Sequence, residues 1–399
     1  MKKLFLVQIL FLFIVLQSCS TEETCVSPVI PNIGAELQTM LDGEYENYIN
    51  KYPGFPGGFA IHVSYPGGDD FLQSGFSEPI SKNHYLRAQS ITKTFTASGI
   101  MLLHQKGLLN IHQTIINTIP NSIEPYIPNT PNYNIPHKDQ INIWHLLTHR
   151  AGVYDPVNDD TSFMDSVLAT NPNYTFSLDE IIGYVARLQI SYFPPGTDYH
   201  YSNAGYVILA KIIERVSGKS YKQFMIDEFV NPLGLNATSF LDKGEEQTLP
   251  NPFVNSMAWA NNQTLDLTEQ NMTYNIGEGN MISSTDDLNK FLKLLINGDA
   301  GISPLNVNNY MMDCRPISDI GAVSVGFGLE YYNNLGYGKG GDGAGFTIRS
   351  FYDPSNNIMI TGLFNCWNYK DGENDASYFM EQQYLLYHLL YETKSKILE

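Results

Sequence analysis

Short β-rich segments occur towards both ends of this chain, and helical segments fill its middle. Alternation of apolar and polar residues predicts strands, whereas apolar residues spaced three or four apart predict helices. The order of these segments predicts an α+β fold, an α/β sandwich. In it, helices flank one antiparallel sheet built from both termini, and a mostly helical lobe is inserted. We expect the α/β part at about residues 35–85 and 300–399, and the helical lobe at about 86–299.

Periodicity and turn residues place the individual elements. Strands are predicted at 57–65, 71–77, 326–332, 346–353 and 358–364. Helices are predicted at 35–50, 94–105, 143–149, 178–188, 205–217, 221–230, 286–297 and 376–391, and the one at 94–105 is expected to be amphipathic. Residues 119–136 are expected to form a wrapped loop, and 247–275 have too little periodicity to be placed.

The N-terminus has the features of an export signal. Lys2 and Lys3 precede an apolar run at 4–16 that is too short to cross a bilayer comfortably. The run ends in Leu16-Gln17-Ser18-Cys19, which resembles the lipobox of bacterial lipoproteins. By this resemblance, 1–18 is a signal peptide, Cys19 is lipidated and 19–34 is a tether. The protein is then exported and lipid-anchored to the cell envelope, with the outer membrane favoured. An ordinary secretory signal is the alternative.

Composition excludes one class of partner and allows a large core. With 43% hydrophobic and 16% charged residues, the 399-residue chain can bury a sizeable core. A net charge of −18, with no basic stripe, argues against nucleic-acid binding. We expect a monomer. Export would permit a disulfide between Cys314 and Cys366, but two buried thiols are favoured because Cys25 and these two cysteines are widely scattered.

Ser90 is followed three residues later by Lys93, a spacing that no other serine of the chain has. On a helix, residues i and i+3 share a face, so the Lys93 amine is expected beside the Ser90 hydroxyl. A serine is a poor nucleophile until a neighbouring group accepts its proton. The pair therefore predicts a nucleophile with an adjacent base, although a buried helix with an incidental serine and lysine would look the same.

Two further segments carry a family resemblance. Residues 193–206 contain Tyr201-Ser202-Asn203 between a Pro-Gly turn and a helix, and 338–346 contain Lys339-Gly340-Gly341 before an apolar strand. In this order after Ser90 and Lys93, they resemble the serine β-lactamase and penicillin-binding protein family, in particular its class C β-lactamase, DD-carboxypeptidase and esterase branch. Three further segments, which are not expected to supply catalytic side chains, also resemble this family: 146–152, 232–235 and 283–288.

The resemblance implies a serine hydrolase that needs no metal or cofactor and acts on a small-molecule or peptide substrate. Ser90 would be the nucleophile, and Lys93 and Tyr201 would share the role of base. Tyr201, held between the ammonium groups of Lys93 and Lys339, is expected to ionise nearer neutrality. The Asn203 amide would hold the substrate carbonyl and Lys93. The oxyanion would be bound by the backbone N–H groups of Ser90 and of Asp342, with Gly340 and Gly341 allowing the substrate to approach closely.

Two positions depart from the family pattern. Gly340 stands where many members have a serine or threonine that helps to bind a substrate carboxylate. Asp342 adds a negative side chain that is expected to repel anionic substrates. Both favour a neutral or amine-bearing ester or amide, while an esterase, a D-amino acid peptidase or DD-carboxypeptidase and a β-lactamase all stay open. A non-catalytic protein that binds cell-wall fragments or β-lactams is the alternative from another functional class.

A possible metal-binding pair is better explained by packing. His145 and His149 are four residues apart on a predicted helix, which is a metal-ligand spacing. No glutamate follows His145, so the zinc-protease motif is incomplete. We therefore expect packing or hydrogen bonding for His149 and no metal site.

Overall fold

The computed structural model describes residues 33–317, 323–372 and 376–399. Cys19, Cys25, the predicted signal peptide and the tether up to residue 32 lie outside the described residues. In the described ranges, no helix combines the length and the apolar character needed to cross a membrane.

The largest sheet of the described residues has eight strands. Its strand order is β2-β1-β13-β12-β11-β10-β9-β8, and every neighbouring pair is antiparallel. Two three-stranded sheets, β3-β7-β4 and β14-β5-β6, complete the β structure of the described residues. The strands are β1 Phe59–Tyr65, β2 Gly68–Ser74, β3 Leu86–Arg87, β4 Ser239–Phe240, β5 Met257–Ala260, β6 Gln263–Asp266, β7 Met281–Ser283, β8 Arg315–Pro316, β9 Val323–Val325, β10 Glu330–Tyr332, β11 Gly336–Gly343, β12 Phe346–Asp353, β13 Ile358–Phe364 and β14 Cys366–Tyr369.

Helices cover the sheet, and most of them lie in the part of the sequence between β2 and β8. They are α1 Gly34–Lys51, α2 Thr92–Gln105, α3 Ile143–Leu147, α4 Pro156–Asp159, α5 Ser162–Thr170, α6 Leu178–Leu188, α7 Asn203–Ser217, α8 Tyr221–Met225, α9 Asn231–Leu233, α10 Thr285–Asn297, α11 Pro304–Asn306 and α12 Ser377–Leu398. α10 packs against β12 and β13, and α12 packs against β12, β13 and β14.

The central strands are buried on both faces. Along β13, Met359 and Leu363 belong to the core shared with the helical lobe, whereas Ile358, Ile360 and Phe364 belong to the core shared with α1 and α12. Successive strand side chains point to opposite faces, so a strand covered on both sides needs apolar residues at nearly every position. The predicted α+β fold, with its antiparallel sheet and flanking helices, is confirmed.

Several element predictions are accurate and others are wrong. β12 and β13 have the predicted bounds, but the strand predicted at 326–332 is reduced to β10, and the C-terminal helix continues to Leu398. The helix predicted at 221–230 is α-helical only to Met225, and Ile226–Val230 is π-helical. The unplaced segment 247–275 contains β5 and β6, which pair with each other, and β5 also pairs with β14.

The prediction that the helix after Ser90 is amphipathic is wrong. Residues 92–103 of α2 are all buried, because the helix runs through the middle of the molecule with the core on every side.

Both described cysteines are free thiols. Cys366 is buried and Cys314 is half-buried. Burial raises the pKa of the Cys314 thiol to about 12.

A two-residue turn joins β11 to β12. Gly343 pairs with Phe346, and the intervening Ala344 and Gly345 have φ of 51° and 80°. Positive φ at both positions matches the twist of a tight hairpin. Gly345 also lies against β5, since a Cβ there would be 2.4 Å from the Met257 carbonyl oxygen.

We predict that Gly345→Ala destabilises the protein more than Gly107→Ala does. Gly107 has a similar φ of 72°, but no described atom lies within 4 Å of a Cβ placed there. Both variants carry the left-handed backbone strain of about 1 kcal/mol, and only Gly345→Ala adds overlap with backbone, costing at least about 2 kcal/mol more. Urea unfolding measures the difference; equal losses of stability would contradict the packing role.

Candidate active site

Ser90 lies in a short 3-10 turn, Gln89–Ile91, between β3 and α2. Gln89 has a φ of 50°, a left-handed conformation that is unusual for a residue other than glycine and is often found at functional sites. Its side-chain amide donates a hydrogen bond to the Gly343 carbonyl, 2.9 Å away. This contact fixes the turn against β11, and Ser90 lines a cleft of about 720 Å³.

Lys93 is fully buried beneath Ser90, with 0% of its surface exposed. Its Nζ lies 3.0 Å from Ser90 Oγ, 2.6 Å from Asn203 Oδ1 and 2.8 Å from Glu278 Oε2. It also donates to the Glu278 backbone carbonyl at 2.9 Å. An ammonium group has three donors, and the amide oxygen and the two Glu278 oxygens can take all of them.

Burial shifts the pKa values of both members of the Lys93–Glu278 pair. It lowers the pKa of Lys93 and raises that of the Glu278 carboxyl, while the attraction between the two charges opposes each shift. Both burial effects reduce the free energy needed to move the shared proton from the amine to the carboxylate. Lys93 can thereby become a neutral amine next to Ser90.

Tyr201 completes the surroundings of the serine. Its hydroxyl lies 3.0 Å from Ser90 Oγ, and the ammonium groups of Lys93 and Lys339 are 5.0 and 5.2 Å from its ring centroid. Burial nevertheless raises the pKa of the phenol, and the opposing effect of Lys339 is smaller. The expectation that Tyr201 ionises nearer neutrality is therefore wrong for the resting site, because desolvation outweighs the nearby charges.

His149 supports the Tyr201 ring. The two rings stack with centroids 4.3 Å apart, and His149 Nδ1 accepts a hydrogen bond from the Ser202 backbone N–H at 3.1 Å. Burial and two lysines hold the pKa of His149 well below its usual value, so the imidazole is neutral. His145 instead caps the start of α3 with Asn142.

Asn203 is the first residue of α7, which Ser202 caps by accepting from the Gly205 N–H. The Asn203 backbone N–H donates to Asp155 Oδ2 at 3.0 Å. Asp155 is fully buried, and burial raises the pKa of its carboxyl to about 6. This contact orients the amide oxygen that accepts from Lys93.

Lys339 lies on β11 and lines the cleft. β10 pairs with β11 only at residues 336–338, so among the described strands none pairs with residues 339–343 on that side. This part of β11 faces the Ser90 turn instead. A Cβ on Gly341 would lie 2.5 Å from the Ala88 carbonyl oxygen and 3.1 Å from the Ser90 nitrogen. Gly341 is required because two backbone segments meet there.

The Asp342 side chain is already neutralised. Arg349, on the neighbouring strand β12, donates to both carboxylate oxygens of Asp342, at 3.1 and 3.0 Å. The repulsion of anionic substrates expected from Asp342 is weakened by this ion pair, because the charge of Arg349 offsets that of the carboxylate. The same guanidinium explains Gly340, which pairs with Arg349 and on which a Cβ would lie 3.0–3.1 Å from three of the arginine side-chain atoms.

The cleft thus brings Ser90, Tyr201, Asn203, Lys339, Gly340 and Asp342 into one lining, with Lys93 beneath it and Gly341 behind it. A family model described as beta-lactamase matches residues 52–384 of the chain.

The chain belongs to the beta-lactamase family.

Curated relatives include penicillin-binding proteins and aminopeptidases. Penicillin-binding protein 4* of Bacillus subtilis is 26% identical over 295 residues, covering 68% of this chain and 60% of the relative. A D-aminopeptidase of Brucella anthropi is 22% identical over 251 residues, covering 57% and 44%. The chain therefore spans between about half and three fifths of the lengths of these relatives.

Solved structures show the same fold. The D-amino acid amidase from Ochrobactrum anthropi SV3, complexed with D-phenylalanine, aligns with a TM-score of 0.72 at 20% identity, covering 92% of this chain and 100% of that one. A D-stereospecific amidohydrolase from Streptomyces sp. aligns with a TM-score of 0.70 at 22% identity, covering 88% and 98%. At these identities the likeness concerns the fold.

Sequence reasoning missed four charged residues of this beta-lactamase family site: Asp155, Glu278, Glu330 and Arg349. A signal exists for two of them. Glu278 is the only charged residue in 270–285, and Glu330 is the only one in 320–338. A charge isolated in an apolar or glycine-rich run is a candidate for burial with a partner, since charged side chains are rarely buried unpaired.

We predict that Asp155→Asn changes how stability depends on pH. The native carboxyl keeps its proton up to about pH 6, whereas the unfolded one loses it near 3.8, so the native state holds more protons in this window. Stability of the wild type therefore falls as the pH rises through it. Asparagine carries no such ionisation.

The free energy of unfolding of Asp155→Asn, relative to wild type, should rise by about 2 kcal/mol between pH 4 and pH 7. Urea unfolding at the two pH values measures it. Asp139→Asn, at an exposed aspartate, is the control and should show no comparable change. If the difference in unfolding free energy between Asp155→Asn and wild type did not change with pH, the raised pKa of the Asp155 carboxyl would be contradicted.

Proposed function

We propose that this protein hydrolyses an amide or ester bond through an acyl-enzyme on Ser90, with D-amino acid amides and peptides as the favoured substrates over simple esters and β-lactams. One observation carries the proposal: Ser90 Oγ lies 3.0 Å from both the Lys93 amine and the Tyr201 hydroxyl. A nucleophile with two proton-transfer groups in reach suits acyl transfer. The relatives named D-aminopeptidase and D-amino acid amidase support the choice of substrate.

Acylation begins when the Lys93 ammonium passes a proton to the Glu278 carboxylate, which leaves a neutral amine beside Ser90 and a carboxylic acid at Glu278. Ser90 Oγ attacks the substrate carbonyl carbon while its proton passes to Lys93 Nζ. The tetrahedral intermediate then expels the leaving group, which takes the Tyr201 hydroxyl proton. Lys93 is now an ammonium ion and Tyr201 a phenolate, so the charges balance within the site. The ammonium groups of Lys93 and Lys339 flank the phenolate and stabilise it at this stage.

The developing oxyanion needs preorganised donors. The Ser90 turn and the unpaired part of β11 approach one another at Gly341, which supports the backbone N–H groups of Ser90 and Asp342 as the oxyanion hole. Asn203 stays bound to Lys93 through its oxygen, and its amide N–H₂ can donate to the acyl-side carbonyl of the substrate.

Deacylation uses the same groups in the reverse roles. The Tyr201 phenolate removes a proton from water, and the resulting hydroxide attacks the acyl carbon. Ser90 Oγ leaves with the proton of the Lys93 ammonium, which restores the starting amine, phenol and hydroxyl. The products are the free acid and the regenerated site.

A non-catalytic binding protein is the weaker proposal. Such a protein would need a cleft and contacts, but no buried amine shared between a serine and a carboxylate. Burying a lysine has a large desolvation cost that binding alone does not require. Export, the lipid anchor at Cys19, the class C pattern and the monomeric state stay predictions.

We predict that a fluorophosphonate labels the full-length protein on one serine and that Ser90→Ala abolishes labelling. Nitrophenyl esters, D-amino acid amides, D-alanyl-D-alanine peptides and a chromogenic cephalosporin then define the substrate range, with D-amino acid amides turned over best. Intact mass identifies the adduct. Ser98→Ala, at a buried serine of α2 outside the cleft, is the control and should still be labelled. Absence of any adduct on folded protein would favour the binding protein.

We predict that Tyr201→Phe lowers kcat by at least about 100-fold, the usual scale for a positioned proton-transfer group. The variant keeps the ring and its stacking on His149 but loses the proton that the leaving group takes. Tyr184→Phe is the matched control, since Tyr184 stacks on Phe163 and does not line the cleft. Stopped-flow kinetics on an ester and an amide measure the change, and an unaltered kcat would remove Tyr201 from the mechanism.

A further inference from the structure

Three cations stand around the reaction centre, and each is paired with its own carboxylate. Two of them, Lys339 and Arg349, line the cleft, and the third, Lys93, lies beneath Ser90. Because opposite charges at contact distance cancel much of each other's field, the cleft presents little net positive charge to a substrate. The pairs are Lys93–Glu278 at 2.8 Å, Arg349–Asp342 at 3.0 Å and Lys339–Glu330 in direct contact.

Glu330 is the ion-pair partner of Lys339. It is the first residue of β10 and pairs with Gly338, the residue before Lys339. Both side chains line the cleft, with 8% of Lys339 and 17% of Glu330 exposed. A substrate carboxylate reaching Lys339 would have to compete with Glu330 for the ammonium group and would lie near a like charge.

Arg349 is not a substitute receptor for such a carboxylate. Its two terminal nitrogens both bind Asp342, and one of them also donates to the Ile348 carbonyl at 2.8 Å. It also lies tightly beside Gly340, since a Cβ there would be 3.0–3.1 Å from three Arg349 side-chain atoms. The site therefore lacks, among its described residues, both an uncommitted cation and a side-chain hydroxyl at position 340.

We propose that Glu330 is a specificity-determining residue that excludes substrates with a carboxylate next to the scissile bond. Neutral or ammonium-bearing amides and esters are then accepted, while peptides ending in a free D-alanine and β-lactams are disfavoured. The inference rests on the proposed hydrolase function and narrows its substrate class. Like-charge placement of this kind discriminates by penalising the wrong ligand.

The test compares N-acetyl-D-alanyl-D-alanine with its C-terminal amide. Both compete with nitrophenyl acetate hydrolysis by the full-length protein, whether or not they are themselves cleaved. In Glu330→Gln, the affinity of the acid relative to the amide should rise at least about 10-fold, because Lys339 is released and a like charge is removed. Glu381→Gln is the matched control: it removes the carboxylate of the exposed Lys51–Glu381 pair, with the same change in net charge, and should leave the ratio unaltered.

Two further variants keep the test decisive. Glu330→Asp retains the charge and should keep discrimination close to wild type. Asp342→Asn releases Arg349 and should also raise the ratio, which provides a second measurement if Glu330→Gln does not fold. An acid-to-amide ratio within two-fold of wild type, in folded Glu330→Gln that a fluorophosphonate still labels, would overturn the proposal. If wild type turned over neither the ester nor a D-amino acid amide, the result would instead count against the hydrolase, and calorimetric binding of the same two peptides would then decide the ratio.

Discussion

The complete burial of the Lys93 amine is the constraint on which the rest of the site depends. An ammonium group with 0% exposure has lost its water and needs acceptors from the protein. Those acceptors come from two distant parts of the chain, the start of α7 at Asn203 and the segment before β7 at Glu278. One buried nitrogen therefore fixes the relative positions of the elements that carry the nucleophile, the amide and the carboxylate.

In the proposed mechanism, this arrangement serves proton transfer rather than stability. A buried ion pair seldom repays its desolvation, and replacement by apolar residues is often neutral or stabilising. Its value here is that burial brings the proton affinities of the Lys93 amine and the Glu278 carboxylate closer together. The amine can then accept and return a proton during turnover. Burial raises the pKa of the Tyr201 phenol more than Lys339 lowers it, so this phenol stays protonated in the resting site.

Local patterns allowed much of the fold and the site to be predicted. The apolar runs of β12 and β13 specify strands buried on both faces, and the i, i+3 spacing of Ser90 and Lys93 specifies their contact. Long-range partners could not be read in the same way. Glu278 is 185 residues from Lys93, and no local periodicity records that pairing. Burial was equally hidden, which is why the amphipathic prediction for α2 and the ionisation prediction for Tyr201 both failed.

The two glycines after Lys339 are similar in sequence and different in cause. Gly341 is excluded from carrying a side chain by backbone atoms at Ala88 and Ser90, whereas Gly340 is excluded by the Arg349 guanidinium. Backbone cannot move aside without dismantling the Ser90 turn, but a side chain can be replaced. A side chain at 340 would therefore press on Arg349, and the arginine would have to shift by a few tenths of an ångström to admit it. The residue at 340 is linked in this way to Arg349 and, through the Arg349 ion pair, to Asp342.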